Sequence, residues 1–195
     1  MKKPMTAAEL NAQLENDDLY QRKLASLQEH NRKIAAEGRY AESEIVEELR
    51  EVGVDVEEIW DLVNRTEPYP QGLPILMDHL ERLSYPDRTL EGLASALAVA
   101  EARPFWHRLV RLFREVEGED ARQGLAAAVS ATVGPEHYEE LLSLINDSAL
   151  GEERIILLEG LIRSDRSRAR NDLEHLSLVS PFSNEARRLL KRKLP

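Results

Sequence analysis

The chain is predicted to be all-α: a right-handed α-solenoid of helical hairpins behind an N-terminal helical extension. Three observations predict it. Blocks of sequence recur every 32 residues, the same columns stay apolar in each copy, and the joints between blocks carry Pro, Gly and acidic residues. The clearest unit is FWHRLVRLF (105–113) followed by DARQGLAAAV (120–129), which reads as one helix, a short turn and a second helix. Shifts of 32 residues place LPILMDHLE (73–81), HYEELLSLI (137–145) and ARNDLEHLS (169–177) on its first helix.

Two first-helix columns read Met77, Leu109, Leu141, Leu173 and Leu80, Leu112, Leu144, Leu176. Two second-helix columns read Leu93, Leu125, Leu157, Leu189 and Ala94, Ala126, Leu158, Leu190. A single hairpin cannot bury its apolar stripe, so copies stack and share a core. The second helices open on Asp87-Arg88, Glu119-Asp120, Gly151-Glu152 and Ser183-Asn184. Such residues satisfy free amides and suit the positive end of a helix. Pro104 and Pro135 stand where first helices begin, a position that tolerates proline.

A 32-residue two-helix unit, with an acidic-x-Arg start to a second helix rich in small residues, resembles the HEAT repeat. The closest likeness is to the short bacterial HEAT-like type also seen in bilin lyases. Asp120-Ala-Arg122-Gln-Gly-Leu125-Ala-Ala-Ala-Val129 is the best copy; Glu152-Glu-Arg154 and Glu185-Ala-Arg187 are looser, and Asp87-Arg88 has lost the spacing. The resemblance covers residues 69–194. It implies a scaffold that hosts binding proteins and a few enzymes, with the second helices lining the concave face.

In chain order, Thr6-Ala-Ala-Glu9 is a capping box for a short helix over 7–14. Asn16 and Asp17 cap a second helix, to Glu37, with Tyr20, Leu24, Leu27, Asn31 and Ile34 at heptad spacing. Two heptads fall short of a coiled coil, so a monomer or weak dimer is expected. Gly38 is predicted to break that helix. A helix over 41–52 puts Ile45, Leu49 and Val52 on one stripe and Glu44, Glu47, Glu48 and Glu51 on the next. Asp55 and Glu58 form a capping pattern for a helix to Arg65. These two helices form a degenerate capping pair. Pro68-Tyr-Pro70 excludes continuous helix, which sets the expected organisation as an extension over 1–68 and four repeats over 69–195. Trp60, Tyr69 and Tyr85 are placed near that joint. Hairpins are predicted at 71–83 with 87–100, 104–116 with 119–132, 136–146 with 152–163, and 168–178 with 184–193. The last is more polar, as a terminal cap requires: Lys193 follows Leu97, Val129 and Leu161.

Charge narrows the function. The net charge is −10, distributed as −7 over 1–68, −7 over 69–163 and +4 over 164–195. An acidic body lacks the positive footprint that phosphate binding needs, so nucleic acid is not the expected partner. It suits a basic protein partner. There is no cysteine, hence no disulfide or thiolate chemistry, which fits a cytoplasmic protein. No apolar run approaches the roughly 20 residues that span a bilayer, and the opening MKKPMTAAEL has no apolar core of a secretory signal.

Catalytic and cofactor motifs are not found. There is no Gly-rich phosphate loop and no nucleophile elbow. No His-x-x-x-His or Glu-x-x-His pair occurs, and His79 and His175 share a register three repeats apart, so no metal and no cofactor is expected. His107 takes the register of Ile75 and Glu139, and His137 that of Phe105. The expected function is a non-catalytic protein-binding module: an adaptor, a scaffold, or an inhibitor or immunity-type protein covering a basic partner. The contrasting expectation, by analogy alone, is a HEAT-like enzyme acting on nucleic acid, as DNA glycosylases do, or on a pigment, as bilin lyases do. Candidate contacts are Glu44, Glu48, Glu51, Glu58 and Trp60 on the acidic segment, and Arg88, Glu91, Ser95, Arg122 and Gln123 on the second helices. The acidic segment from Glu42 to Glu67 holds ten acids against Arg50 and Arg65 alone.

Overall fold

A computed structural model describes residues 17–193, and their regular structure is entirely helical. None of the described helices is long and apolar enough to cross a membrane. The chain divides between Tyr40 and Ala41. The helix predicted over 7–14 and the side chains of Leu24, Leu27, Asn31 and Ile34 lie outside the described residues.

Helix α1 runs over Asp18–Glu51. Asp17 caps it, its Oδ1 accepting the Tyr20 N–H at 3.0 Å. Gly38 does not break this helix, contrary to expectation. One glycine costs about 1 kcal/mol relative to alanine but keeps its N–H and its helical bond, so a long helix absorbs it. Up to Tyr40, the described side chains are all exposed.

In the second unit, α1 buries Ile45, Val46 and Leu49, whereas Val52 is exposed. Glu42, expected on the acidic surface, is buried. It accepts the Ile59 N–H at 3.2 Å. Gly53 then turns the chain at a positive φ of 82°. The helix expected over 55–65 is a single turn, α2, Trp60–Val63. Asp55 does not cap it. The Asp61 carboxylate reaches back instead and takes the N–H groups of Glu57 (2.8 Å) and Glu58 (3.1 Å). Side-chain oxygens thus hold three consecutive amides in a loop, a local competition that short acidic side chains often win. Pro68–Tyr69–Pro70 packs within this unit: Tyr69 is buried and its hydroxyl donates to the Ala96 carbonyl at 2.6 Å.

Four hairpins follow, in the predicted order: α3 (Leu73–Glu81) with α4 (Asp87–Ala96), α5 (Trp106–Glu115) with α6 (Glu119–Thr132), and α7 (Tyr138–Asn146) with α8 (Leu158–Ser164), then α9 (Arg166–Leu176) with α10 (Ser183–Lys193). The third second helix starts as a 3-10 turn, Glu152–Leu157. All four repeated columns are buried except at Leu190, which is half-buried. Each second helix packs against the next: α4 against α6, and α6 against α8 and the turn before it. Small residues set the approach. A Cβ on Gly124 would stand 2.7 Å from the Glu91 carbonyl oxygen, and one on Gly160 would stand 3.2 Å from Ser130 Cα.

The recurring arginine of the acidic-x-Arg start has one structural task. Arg122 donates to Val116 O (2.6 Å), Arg154 to Ile145 O (2.7 Å), and Arg187 to Ser177 O (3.1 Å). In these three hairpins it satisfies a carbonyl at the C-terminal end of the first helix, where four carbonyls lack intrahelical partners. The first hairpin has Leu90 at this register and lacks the device. Asp87 links neighbouring copies, its carboxylate accepting the N–H groups of Asp120 (3.1 Å) and Ala121 (3.0 Å) at the start of α6.

Candidate interaction surface

Second-helix side chains that do not enter the core fall in a few columns. Ser95, Ala127, Glu159 and Lys191 share one; Gly92, Gly124, Ile156 and Arg188 share another; Val99, Ala131 and Arg163 a third. These positions are one helix face, because they recur at three- and four-residue steps. In the structure Ala127, Ala131, Ile156, Glu159, Arg163 and Arg188 of these columns line a groove of about 430 Å³, together with Ala98, Ser130, Ile155 and Glu185. Its small-residue side comes from Ala98, just after α4, and from Ala127, Ser130 and Ala131 of α6, with Ile155 and Ile156 beside them. Its charged side comes from the later copies, where Arg188 bridges to Glu159 at 3.6 Å and also pairs with Glu185.

The second-helix candidates divide. Arg88 and Gln123 are exposed; Glu91 and Ser95 are half-buried. Burial raises the Glu91 carboxyl above the ordinary glutamate value, and the nearby Asp120 adds to it. Arg122 is half-buried, and its guanidinium donates to Val116 O at 2.6 Å. The sequence reading missed Ala127, Ala131, Ile155, Ile156 and Arg163. Ala127, Ala131, Ile156 and Arg163 stand in recurring columns, whereas Ile155 does not.

The acidic candidates also divide. Glu51 and Glu58 are exposed, as is Glu47. Glu44 is exposed and faces Arg82, with 3.4 Å between the charged atoms. Glu48 is half-buried and bonded within its own chain. It accepts the Nε2–H of the fully buried His79 at 3.0 Å, and the other ring nitrogen bonds the Tyr85 hydroxyl at 2.6 Å. Glu42 is no longer part of a charged surface, and burial raises its carboxyl above the ordinary range. The acidic face is thus narrower than ten carboxylates. Trp60 is half-buried, beside Gly92. Tyr69 bonds Ala96 and Tyr85 bonds His79, so the three aromatics have separate partners rather than one patch.

Two groups of potential ligands are assembled that linear spacing did not disclose. One is Glu44, Glu48 and His79; the other is His107, His137 and Glu140. The first is engaged by Tyr85 and Arg82. The second draws on adjacent hairpins, at registers two residues apart.

No family model matches the chain, and neither a curated protein nor a solved structure matches it.

Proposed function

We propose that the chain is a non-catalytic protein-binding module built as a right-handed HEAT-like solenoid, with the second-helix face as its docking side. The observation that carries this reading is the groove itself. It draws on α6, on α8 and the turn before it, and on α10, with Ala98 after α4; Ala, Ser and Ile side chains make its apolar part, and charged residues of both signs share its lining. An apolar strip beside charges fits an amphipathic segment, whose apolar anchors fill the floor while its polar residues meet the charged side. The repeated buried columns and the arginine braces support the stacked-repeat reading. The partner is a basic protein: Glu47, Glu51, Glu57 and Glu58 are exposed and the net charge is −10, so opposite charge steers the encounter.

The test compares three chains as bait in native extract, with bound proteins identified by mass. Ala127→Arg fills the groove floor. Glu47→Lys/Glu51→Lys reverses exposed charge without touching Glu48 or Glu44. A basic protein captured by the wild type should be lost with Ala127→Arg, and should be captured more slowly and with less salt sensitivity by the charge-reversed chain. Identical capture by all three chains, or capture of nucleic acid alone, overturns the reading.

A further inference from the structure

We propose that His107, His137 and Glu140 form a binding site for a divalent transition-metal ion of zinc's class. One donor atom from each lies within 4.8 Å of the others. His107 comes from the first turn of α5; His137 and Glu140 come from the start of the next first helix. The site joins the second hairpin to the third.

The imidazoles stand on a rigid platform. Trp106 is buried and its Nε1–H donates to Val129 O of α6 at 3.2 Å, which fixes the indole. His137 stacks on that indole, with ring centres 4.1 Å apart and planes 6° from parallel. His107 meets the His137 ring edge-on at 4.8 Å. A stacked ring loses little further freedom on binding an ion. A four-coordinate zinc shell with bonds of about 2.0–2.1 Å places neighbouring donors about 3.3 Å apart. Closing from 4.8 Å to that spacing falls to the exposed His107 and to the Glu140 carboxylate, because His137 is held in its stack.

The donor set selects the metal class. Two imidazoles and one carboxylate suit zinc, iron, nickel or copper; magnesium and calcium prefer shells of oxygen alone. Three protein donors leave a position open to water. Glu136 adds a second carboxylate at the edge, its Oε1 3.5 Å from His137 Nε2. Among the described residues no arginine or lysine pairs with Glu140, in contrast to the other group, where Arg82 sits on Glu44 and both nitrogens of His79 are engaged. This site is independent of the protein-binding reading and survives its failure.

The test is calorimetric titration of the full, tag-free chain with zinc chloride, with magnesium chloride as competitor, together with thermal melts. The wild type should bind one equivalent of zinc, unaffected by magnesium, and melt at a higher temperature in its presence. His107→Asn and Glu140→Gln should each weaken zinc binding by about tenfold or more and abolish the zinc-dependent rise, with unchanged helical circular dichroism. Glu44→Gln should leave the titration unchanged. His107 is exposed, so its variant should fold; should it not, Glu140→Gln decides alone. Absence of zinc binding by the wild type, equal affinity in the wild type and both ligand variants, or loss in Glu44→Gln overturns the proposal.

Discussion

Replacing Gly124 with alanine sets two effects against each other. In mid-helix, alanine is favoured over glycine by about 1 kcal/mol. Gly124 also lies where α6 meets α4. Its new Cβ would stand 2.7 Å from the Glu91 carbonyl oxygen, 3.1 Å from Ala94 Cβ and 3.2 Å from Glu91 Cα. Two of these three atoms are backbone, so relief requires one helix to move. Forcing a methyl group into such a contact costs about 1–3 kcal/mol, and the backbone neighbours put this case in the upper half. The balance is a loss of about 1–2 kcal/mol after the propensity gain. At about 2–4 °C per kcal/mol for a chain of this size, the melting temperature should fall by several degrees. Gly92→Ala is the internal control. Its Cβ would meet the half-buried Trp60 ring at 3.2 Å, a side chain able to yield. It should be neutral or stabilising. Urea and thermal melts followed by circular dichroism give both values. If Gly124→Ala melts at or above the wild type, alongside Gly92→Ala, then α4 and α6 do not touch backbone to backbone, and the packing of successive second helices described above is wrong.

Two further outcomes test the packing. Arg154 is buried and donates to both Gly151 O (2.5 Å) and Ile145 O (2.7 Å), so Arg154→Met should cost about 2–3 kcal/mol by leaving carbonyls unpaired; Arg154→Lys should not restore the loss, because a single ammonium does not reproduce the fork. A urea titration showing full stability in Arg154→Met would remove the proposed role of the repeated arginine. In acid, Glu81 should contribute measurably. Its hydrogen bonds from Arg108, above all, and the charges of Arg108 and Arg111 hold its carboxyl below the ordinary value. A depressed folded-state value means stability that is present above the unfolded value, about 4.3, and lost as pH falls through the folded value. Glu81→Gln should therefore lose stability at neutral pH and show a shallower decline below about pH 4.3 than the wild type; parallel acid limbs would contradict it.

The sequence by itself determined the helical class, the four hairpins and their core columns. A period of 32 carries that information redundantly: sixteen positions in four columns agree, and fifteen of them are buried. It also placed Arg122 and Arg154 one period apart and Arg187 one residue beyond the next, though not their task. Burying a carbonyl at a helix end is a property of the assembled hairpin, and the side chain that answers it lies six to ten residues away. Gly38 and the segment after Gly53 went differently for local reasons. Glycine weakens a helix without removing a donor, and Asp61 with Glu42 captured amides that a helix needed. Only the tertiary structure decided which carboxylates face solvent. Glu42 and Glu48 share a helix with Glu47 and Glu51, and the difference is that Ile59 and His79 pack against the former pair. The histidine cluster is of the same kind. His107 and His137 are 30 residues apart, close to one period, but two-residue offsets between neighbouring helices become neighbours only once the hairpins stack. Spacing along one helix is a local quantity that sequence carries. Proximity across two hairpins depends on the stagger between them, which packing sets.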